Sequence, residues 1–236
     1  MLFSITLAYA AVFAIVTNNI EDLEADKITN PNRPLVTGKM NRSFALRAGI
    51  LCLGWSLLIS FLIRMEMFYC ILIISTVYYL YSCRPFRLKR IPFLSKFLIA
   101  FNSFAVAVCG FILAGGKLAE FPIVWAIFIL VPLALAANFV DIKDIPGDKE
   151  TGVKTLPVIL GEKTALILIA IFTFYTYLMA AIILNIAWLY PVNAVAALLH
   201  CYLLFRKPFD ERPVFLVYIL SLFALSGILF LYPSLS

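Results

Sequence analysis

Eight long apolar stretches dominate the chain, and they restrict it to folds that live in a lipid bilayer. They cover residues 1–17, 43–63, 66–82, 91–114, 120–140, 164–184, 187–205 and 212–232. A spanning helix needs about 20 apolar residues, and each stretch comes close to that. Water-soluble domains are roughly 45–50% apolar, whereas this chain is 64% hydrophobic. The expected fold class is all-α, a polytopic transmembrane bundle of about eight helices. The first stretch has no basic leader and no small-residue cleavage site, so it reads as a bundle helix and not as a signal peptide.

Charge placement orients the bundle. If the helices alternate across the membrane, the segments around 18–47, 84–96, 141–163 and 206–212 share one side. They hold 17 of the 19 Lys and Arg residues, leaving Arg64 and Lys117 opposite. Positive loops face the cytoplasm, so this side is expected to be cytoplasmic. Eleven of the 13 acids lie there too, Glu66 and Glu120 being the exceptions. Topology and anionic lipid account for the net charge of +6, and no nucleic-acid partner is expected. The five cysteines stand singly, without metal-ligand spacing. His200, the sole histidine, lies deep in an apolar run and reads as a helix-contact residue, so histidine acid–base chemistry is not expected.

Two acidic runs on that side carry the candidate chemistry. In residues 18–38, Asn18, Asp22 and Asp26 repeat every four residues. Each such step turns only about 40° around a helix, so the three stack on one face while Glu21 and Glu24 point elsewhere. Pro31 and Pro34 end that helix, in a loop carrying Arg33 and Lys39. In residues 138–157, Asp141, Asp144 and Asp148 follow spacings of three and four, with Asn138 one turn earlier. Pro146 and Gly147 are expected to break the helix and present Asp148 from a turn. Stacked carboxylates repel one another and are expensive near a membrane unless a cation neutralises them. Hard oxygen ligands select Mg²⁺ or Ca²⁺, EF-hand spacing is absent, and Mg²⁺ readily shares carboxylates with substrate phosphates. Two facing clusters therefore suit Mg²⁺ and a diphosphate, and the membrane setting suggests a greasy tail on it. An allyl cation left by the departing diphosphate needs a dry aromatic environment, and Tyr78, Tyr79 and Tyr81 stand just before a basic loop.

At these residues the chain resembles the UbiA prenyltransferase superfamily. NNIEDLEADKITNPNRPLVTG is similar to the family's N-x-x-x-D-x-x-x-D motif followed by P-x-R-P. DIKDIPGDKETGVKTLP is similar to its second aspartate motif and G-x-x-T-L-P, and YSCRPFRLKR to its Tyr-Ser…Pro…Arg-Leu-Lys loop. The resemblance implies a single transmembrane domain over 1–236, with helices ringed around a central, laterally open cavity. It implies Mg²⁺-dependent transfer of a prenyl group from a prenyl diphosphate to a lipophilic acceptor: an aromatic or quinone precursor, a chlorophyllide-like molecule or a glyceryl-phosphate lipid. By motif position, Asn18, Asp22, Asp26, Asp141, Asp144 and Asp148 would hold metal and diphosphate, the aspartates as metal ligands. Arg33, Arg87, Lys89 and Asn138 would touch the diphosphate, and Tyr81 would face the reacting carbon.

Two departures from the family pattern stand out. Asn18-Asn19 replaces the common Asn-Asp, and the first motif begins at residue 18, so the first of the family's usual nine helices is expected to be missing from 1–236. The short spacing from Asp26 to Pro-x-Arg-Pro resembles the branches acting on archaeal lipid precursors, chlorophyllide or homogentisate. The alternatives are a membrane terpene cyclase or diphosphate hydrolase using the same site, and a truncated non-catalytic family member. A cation transporter would need acids at mid-membrane, where this chain has almost none.

Overall fold

The structure, a computed structural model, describes residues 2–91 and 93–231. The described residues form eleven α-helices and no strand. In chain order these are α1 (Leu2–Glu21), α2 (Leu23–Thr29), α3 (Arg42–Ile63), α4 (Met65–Ser82), α5 (Leu94–Leu113) and α6 (Ile123–Ala136). There follow α7 (Ile145–Thr151), α8 (Leu156–Leu160), α9 (Glu162–Leu184), α10 (Leu189–Phe205) and α11 (Glu211–Leu231). All but the short α2, α7 and α8 fall on the eight apolar stretches. Six spans are long and apolar enough to cross a membrane: α1, α3, α4, α5, α9 and α6 with its 3₁₀ extension to Asp141. α10 is apolar and 17 residues long.

The long helices pack one against the next. α1 lies against α3 and α4, and the row continues through α5, α6, α9, α10 and α11. The short α2 packs on α7, which joins the two halves of the chain across the cavity mouth.

Large apolar side chains such as Trp55, Phe61, Leu62 and Phe223 are exposed on the outside, where lipid would cover them. Lipid is as apolar as leucine, so burial of apolar area cannot choose which helix faces meet; small residues and polar contacts do. α3 shows this. It turns Ala45, Gly49, Ser56 and Ser60 inward, and Ser56 Oγ donates to the Thr6 carbonyl of α1 at 2.6 Å. At the far end of the row, Tyr177 of α9 contacts His200 Nδ1 of α10 at 3.3 Å and Ser221 Oγ of α11 at 3.1 Å. His200 is thus a buried helix contact, as its sequence setting suggested.

The α1–α3 seam is testable. A Cβ built on Gly49 would stand 3.2 Å from Val16 Cγ1, whereas one on Gly54 meets nothing within 4 Å. Gly49→Leu should therefore lower unfolding free energy by about 1–3 kcal/mol through overpacking. Gly54→Leu should change it little. Thermal unfolding in detergent separates the two.

Candidate functional site

A cavity of about 420 Å³ lies where α1, α2, α7 and the loop after α4 converge. Seven acids line it: Glu21, Asp22, Glu24, Asp26, Asp141, Asp144 and Asp148. Six bases line it too: Arg33, Arg84, Arg87, Lys89, Arg90 and Lys96. Asn18 and Tyr81 complete the set of sequence-predicted residues that share this wall.

The first motif is held from both sides. The helix breaks at Asp22, between α1 and α2, yet the Asp22 N–H still reaches the Asn18 carbonyl at 2.9 Å and the Asp26 N–H reaches that of Asp22 at 2.8 Å. Asn18, Asp22 and Asp26 therefore stay on one side, as their spacing requires. Asp26 is 4% exposed. It accepts from Arg33, which folds the Pro-Asn-Arg-Pro loop back, and from Asn30 Nδ2 at 3.0 Å. Arg33 also donates to Asn19 Oδ1 at 3.0 Å, so the amide that stands where the family commonly has an acid still holds this guanidinium. Asp22 accepts from Lys89 and from Arg87 at 3.0 Å. Lys89 and Ser82 both donate to Asn18 Oδ1 at 3.0 Å. Burial lowers the pKa of Lys89, against the pull of Asp22. Arg87 takes the left-handed conformation, φ +43°, a strained state for a side chain with a Cβ.

The second motif is built differently. α6 tightens into a 3₁₀ turn over Ala137–Asp141, and Asn138 Nδ2 donates to the carbonyls of Ala134 and Leu135. Asn138 does not line the main cavity. Its amide closes the end of α6, and it borders only a small neighbouring void with Asp141, Ser95 and Thr155. Asp148 comes from helix α7, not from a turn. Pro146 stands in the first turn of that helix, where a missing N–H costs nothing, so it starts α7 as well as ending what precedes. The G-x-x-T-L-P segment also gains a physical role. Gly152 ends α7 at φ +72°, and Thr155 Oγ1 reaches back to Asp148 Oδ2 at 3.1 Å. Glu21 does not point away: it lines the cavity, facing Arg84 at 3.5 Å, whereas Glu24 borders the cavity with a side chain 76% exposed and paired with Lys27.

Lys96 escaped the sequence reading. It lies in the first turn of α5, is 4% exposed, and donates to Asp141 Oδ1 at 2.6 Å. A lone charge inside an apolar stretch was the signal that could have found it, because such charges are costly unless they serve a site.

The second motif is left under-satisfied. Asp141 Oδ2 and Asp144 Oδ1 are buried without a hydrogen-bond partner. Burial, aided by nearby Asp141 and Glu211 and opposed by Lys143, raises the Asp144 pKa to about 6. Burial and the neighbouring Asp141 and Asp144 raise Asp148 to about 7, although the Thr155 hydroxyl opposes them. Among the described residues no three acids, histidines or cysteines gather into a ready-made cage. The bases stand between them instead.

The fold is that of a helical membrane protein, with carboxylates and bases in near-equal number around one cavity at the end of its apolar helices. A profile of the UbiA prenyltransferase family matches residues 1–214, and the chain belongs to that family. It is 34% identical over 161 residues to the digeranylgeranylglyceryl phosphate synthase of Pyrococcus furiosus, covering 67% of this chain and 56% of that protein. It is 32% identical over 200 residues to the enzyme of the same name from Sulfolobus acidocaldarius, covering 83% and 71%. The match thus spans little more than half the length of the Pyrococcus relative. The fold is that of a UbiA homolog from Archaeoglobus fulgidus bound to GPP and Mg²⁺, with a TM-score of 0.74 and 20% identity over 95% of this chain and 84% of that one. A UbiA homolog from Aeropyrum pernix K1 superposes with a TM-score of 0.75 and 17% identity, over 96% and 86%.

The raised carboxyls predict a pH dependence. Free aspartate titrates near pH 3.9. Between about pH 4 and 7 the folded chain therefore binds more protons at Asp144 and Asp148 than the unfolded one, and their contribution to stability falls as pH rises through that window. Without divalent ions, Tm should decline from pH 5 to pH 7.5 in a fixed detergent. Asp148→Asn should flatten much of that slope.

Proposed function

We propose that the chain catalyses Mg²⁺-dependent transfer of a prenyl group from a prenyl diphosphate to a glyceryl-phosphate lipid, at the cytoplasmic face of the membrane. One observation carries this reading: two acidic helix ends and six bases surround a single cavity, with Asp141 Oδ2 and Asp144 Oδ1 buried and unpartnered. An unpartnered buried carboxylate oxygen is costly, and a divalent ion beside it removes that cost. The donors present fit Mg²⁺, which needs only one or two carboxylates when it shares phosphate oxygens and water.

Asp22, Asp26, Asp141, Asp144 and Asp148 would hold the metal. When bound, Mg²⁺ supplies the positive charge that makes diphosphate a good leaving group. Arg33, Arg87 and Lys89 would bind diphosphate oxygens, the two arginines through their planar donor forks. Asn18 holds Lys89 in place through its Oδ1. Tyr81, in the cavity wall at the end of α4, would turn its ring toward the allylic carbon, where a π-face stabilises developing positive charge. The apolar helices exclude water from that carbon. Transfer breaks the C–O bond to diphosphate and forms an ether bond to an acceptor hydroxyl, whose proton is released.

The names of the Pyrococcus and Sulfolobus relatives support a glyceryl-phosphate acceptor over an aromatic or quinone precursor.

The test uses purified chain in lipid with Mg²⁺, geranylgeranyl diphosphate and a singly prenylated glyceryl phosphate. The expected product carries a second prenyl ether, detected by mass spectrometry. Asp22→Asn and Asp144→Asn should each lower the rate by about 10²–10³-fold, the range for losing one electrostatic stabiliser, with Tm within a few degrees of the parent. Full activity in both variants, or diphosphate release that ignores the acceptor, would overturn the assignment.

A further inference from the structure

We infer that Lys96 is a resident counter-cation for Asp141, exchanged for a divalent ion when a diphosphate arrives, so that metal and diphosphate are taken up together. The inference rests on the proposed reading of the cavity as a site for those two ligands.

The ion pairs at the site are unevenly distributed. Asp22 is paired with Arg87 and Lys89, Asp26 with Arg33, and Asp141 with Lys96. Asp144 and Asp148 form no direct ion pair among the described residues. Of these paired bases, Lys96 is the most buried, its side chain 5% exposed against 33% for Arg33, 12% for Arg87 and 10% for Lys89. Its ammonium has one hydrogen-bond partner among the described residues, Asp141 Oδ1. The other oxygen of that carboxylate, on a residue 9% exposed, has none. Asp141, which lines the cavity together with Asp144 and Asp148, therefore holds one cation and retains a second, unused acceptor.

Each ligand alone leaves something buried and unpaired. A divalent ion at Asp141 competes with the Lys96 ammonium, and a displaced buried ammonium without an anion is strongly unfavourable. A diphosphate alone draws Lys96 away and leaves Asp141 without its counter-ion. Arriving together, the ligands complete an exchange: the carboxylate passes to the metal and the ammonium to a phosphate oxygen. Seven acids and six bases nearly cancel before binding, and the exchange leaves neither Asp141 nor Lys96 without an opposite charge. Coupling of this kind is reciprocal, so each ligand must tighten the other by the same factor.

The experiment measures binding, not turnover. Mn²⁺ serves as the metal probe, read by loss of its free paramagnetic signal, and a radiolabelled prenyl thiolodiphosphate serves as the unreactive donor. Affinities are corrected for the complex that the two form in solution. In the parent chain each probe should tighten the other at least tenfold; a factor below two overturns the inference without any variant. In Lys96→Gln, which keeps a donor to Asp141 but no charge, Mn²⁺ alone should bind at least fivefold more tightly and the coupling should fall at least fivefold. Parent-like values in that variant overturn the inference. Lys96→Arg should keep both values within about twofold; a loss equal to that in Lys96→Gln would show that the stem's packing and not its charge matters, and would also overturn it. A parent chain that binds neither probe would instead refute the proposed function itself.

Discussion

Seven carboxylates share the mouth of an apolar helix bundle, and the rest of the structure there depends on how their mutual repulsion is neutralised. In surroundings less polar than water, like charges repel strongly and unpaired ones are costly. The solution is visible loop by loop. Arg33 pulls the loop after α2 back onto Asp26. Arg87 and Lys89 strap the segment after α4 across Asp22. Lys96 draws the start of α5 onto the end of α6 through Asp141. The apolar helices set the bundle, but these ion pairs set the conformation of the connections. That division follows from the solvent: lipid does not distinguish one leucine-rich face from another, so the specific contacts are left to small residues and to charge.

The two halves of the chain meet where a side chain is missing. α2 and α7 carry Asp26 and Asp148 from distant parts of the sequence, and they pack directly on each other. A Cβ at Gly147 would lie 2.8 Å from Thr29 Cγ2, with the Ala25 carbonyl oxygen 3.6 Å away. Thr29 cannot readily turn aside, because its hydroxyl is engaged with the Ala25 carbonyl. Pro146-Gly147-Asp148 thus compresses three functions into three residues. The proline starts the helix, the glycine allows close approach, and the aspartate enters the cavity.

The bundle was legible in the sequence because spanning helices need only length and apolarity, not a subtle period. The shared face of Asn18, Asp22 and Asp26 was legible because a four-residue spacing survives even the break at Asp22, where the i to i−4 hydrogen bonds persist. The parts that were not legible all depend on local backbone geometry or on partners far along the chain. The tightening of α6 into a 3₁₀ turn rotated Asn138 out of the main cavity. The restart of a helix at Pro146 placed Asp148 on α7. Glu21 was turned inward across the break by a partner, Arg84, more than sixty positions away. Lys96 was hidden because a charge count assigns it to a basic loop, while only the fold shows it opposite Asp141.

The contrast between the two motifs is itself informative. Asp26 has both its oxygens engaged, by Arg33 and Asn30, and Asp22 likewise by Arg87 and Lys89. In the ligand-free chain those carboxylates fix the bases around them. The second motif keeps Asp141 Oδ2 and Asp144 Oδ1 unpartnered and holds Asp144 and Asp148 above the ordinary carboxylate range. A protein stores such a cost only where the surrounding packing over-determines it. Here Gly147 fixes α7 against α2, Thr155 ties down Asp148, and Lys143 of the same loop pairs with Glu211 of α11. The unpartnered carboxylate oxygens are therefore concentrated in one half of the site, while Arg87 Nε is buried without a partner in the other. The first motif organises the bases, and the second supplies the unmet demand for positive charge.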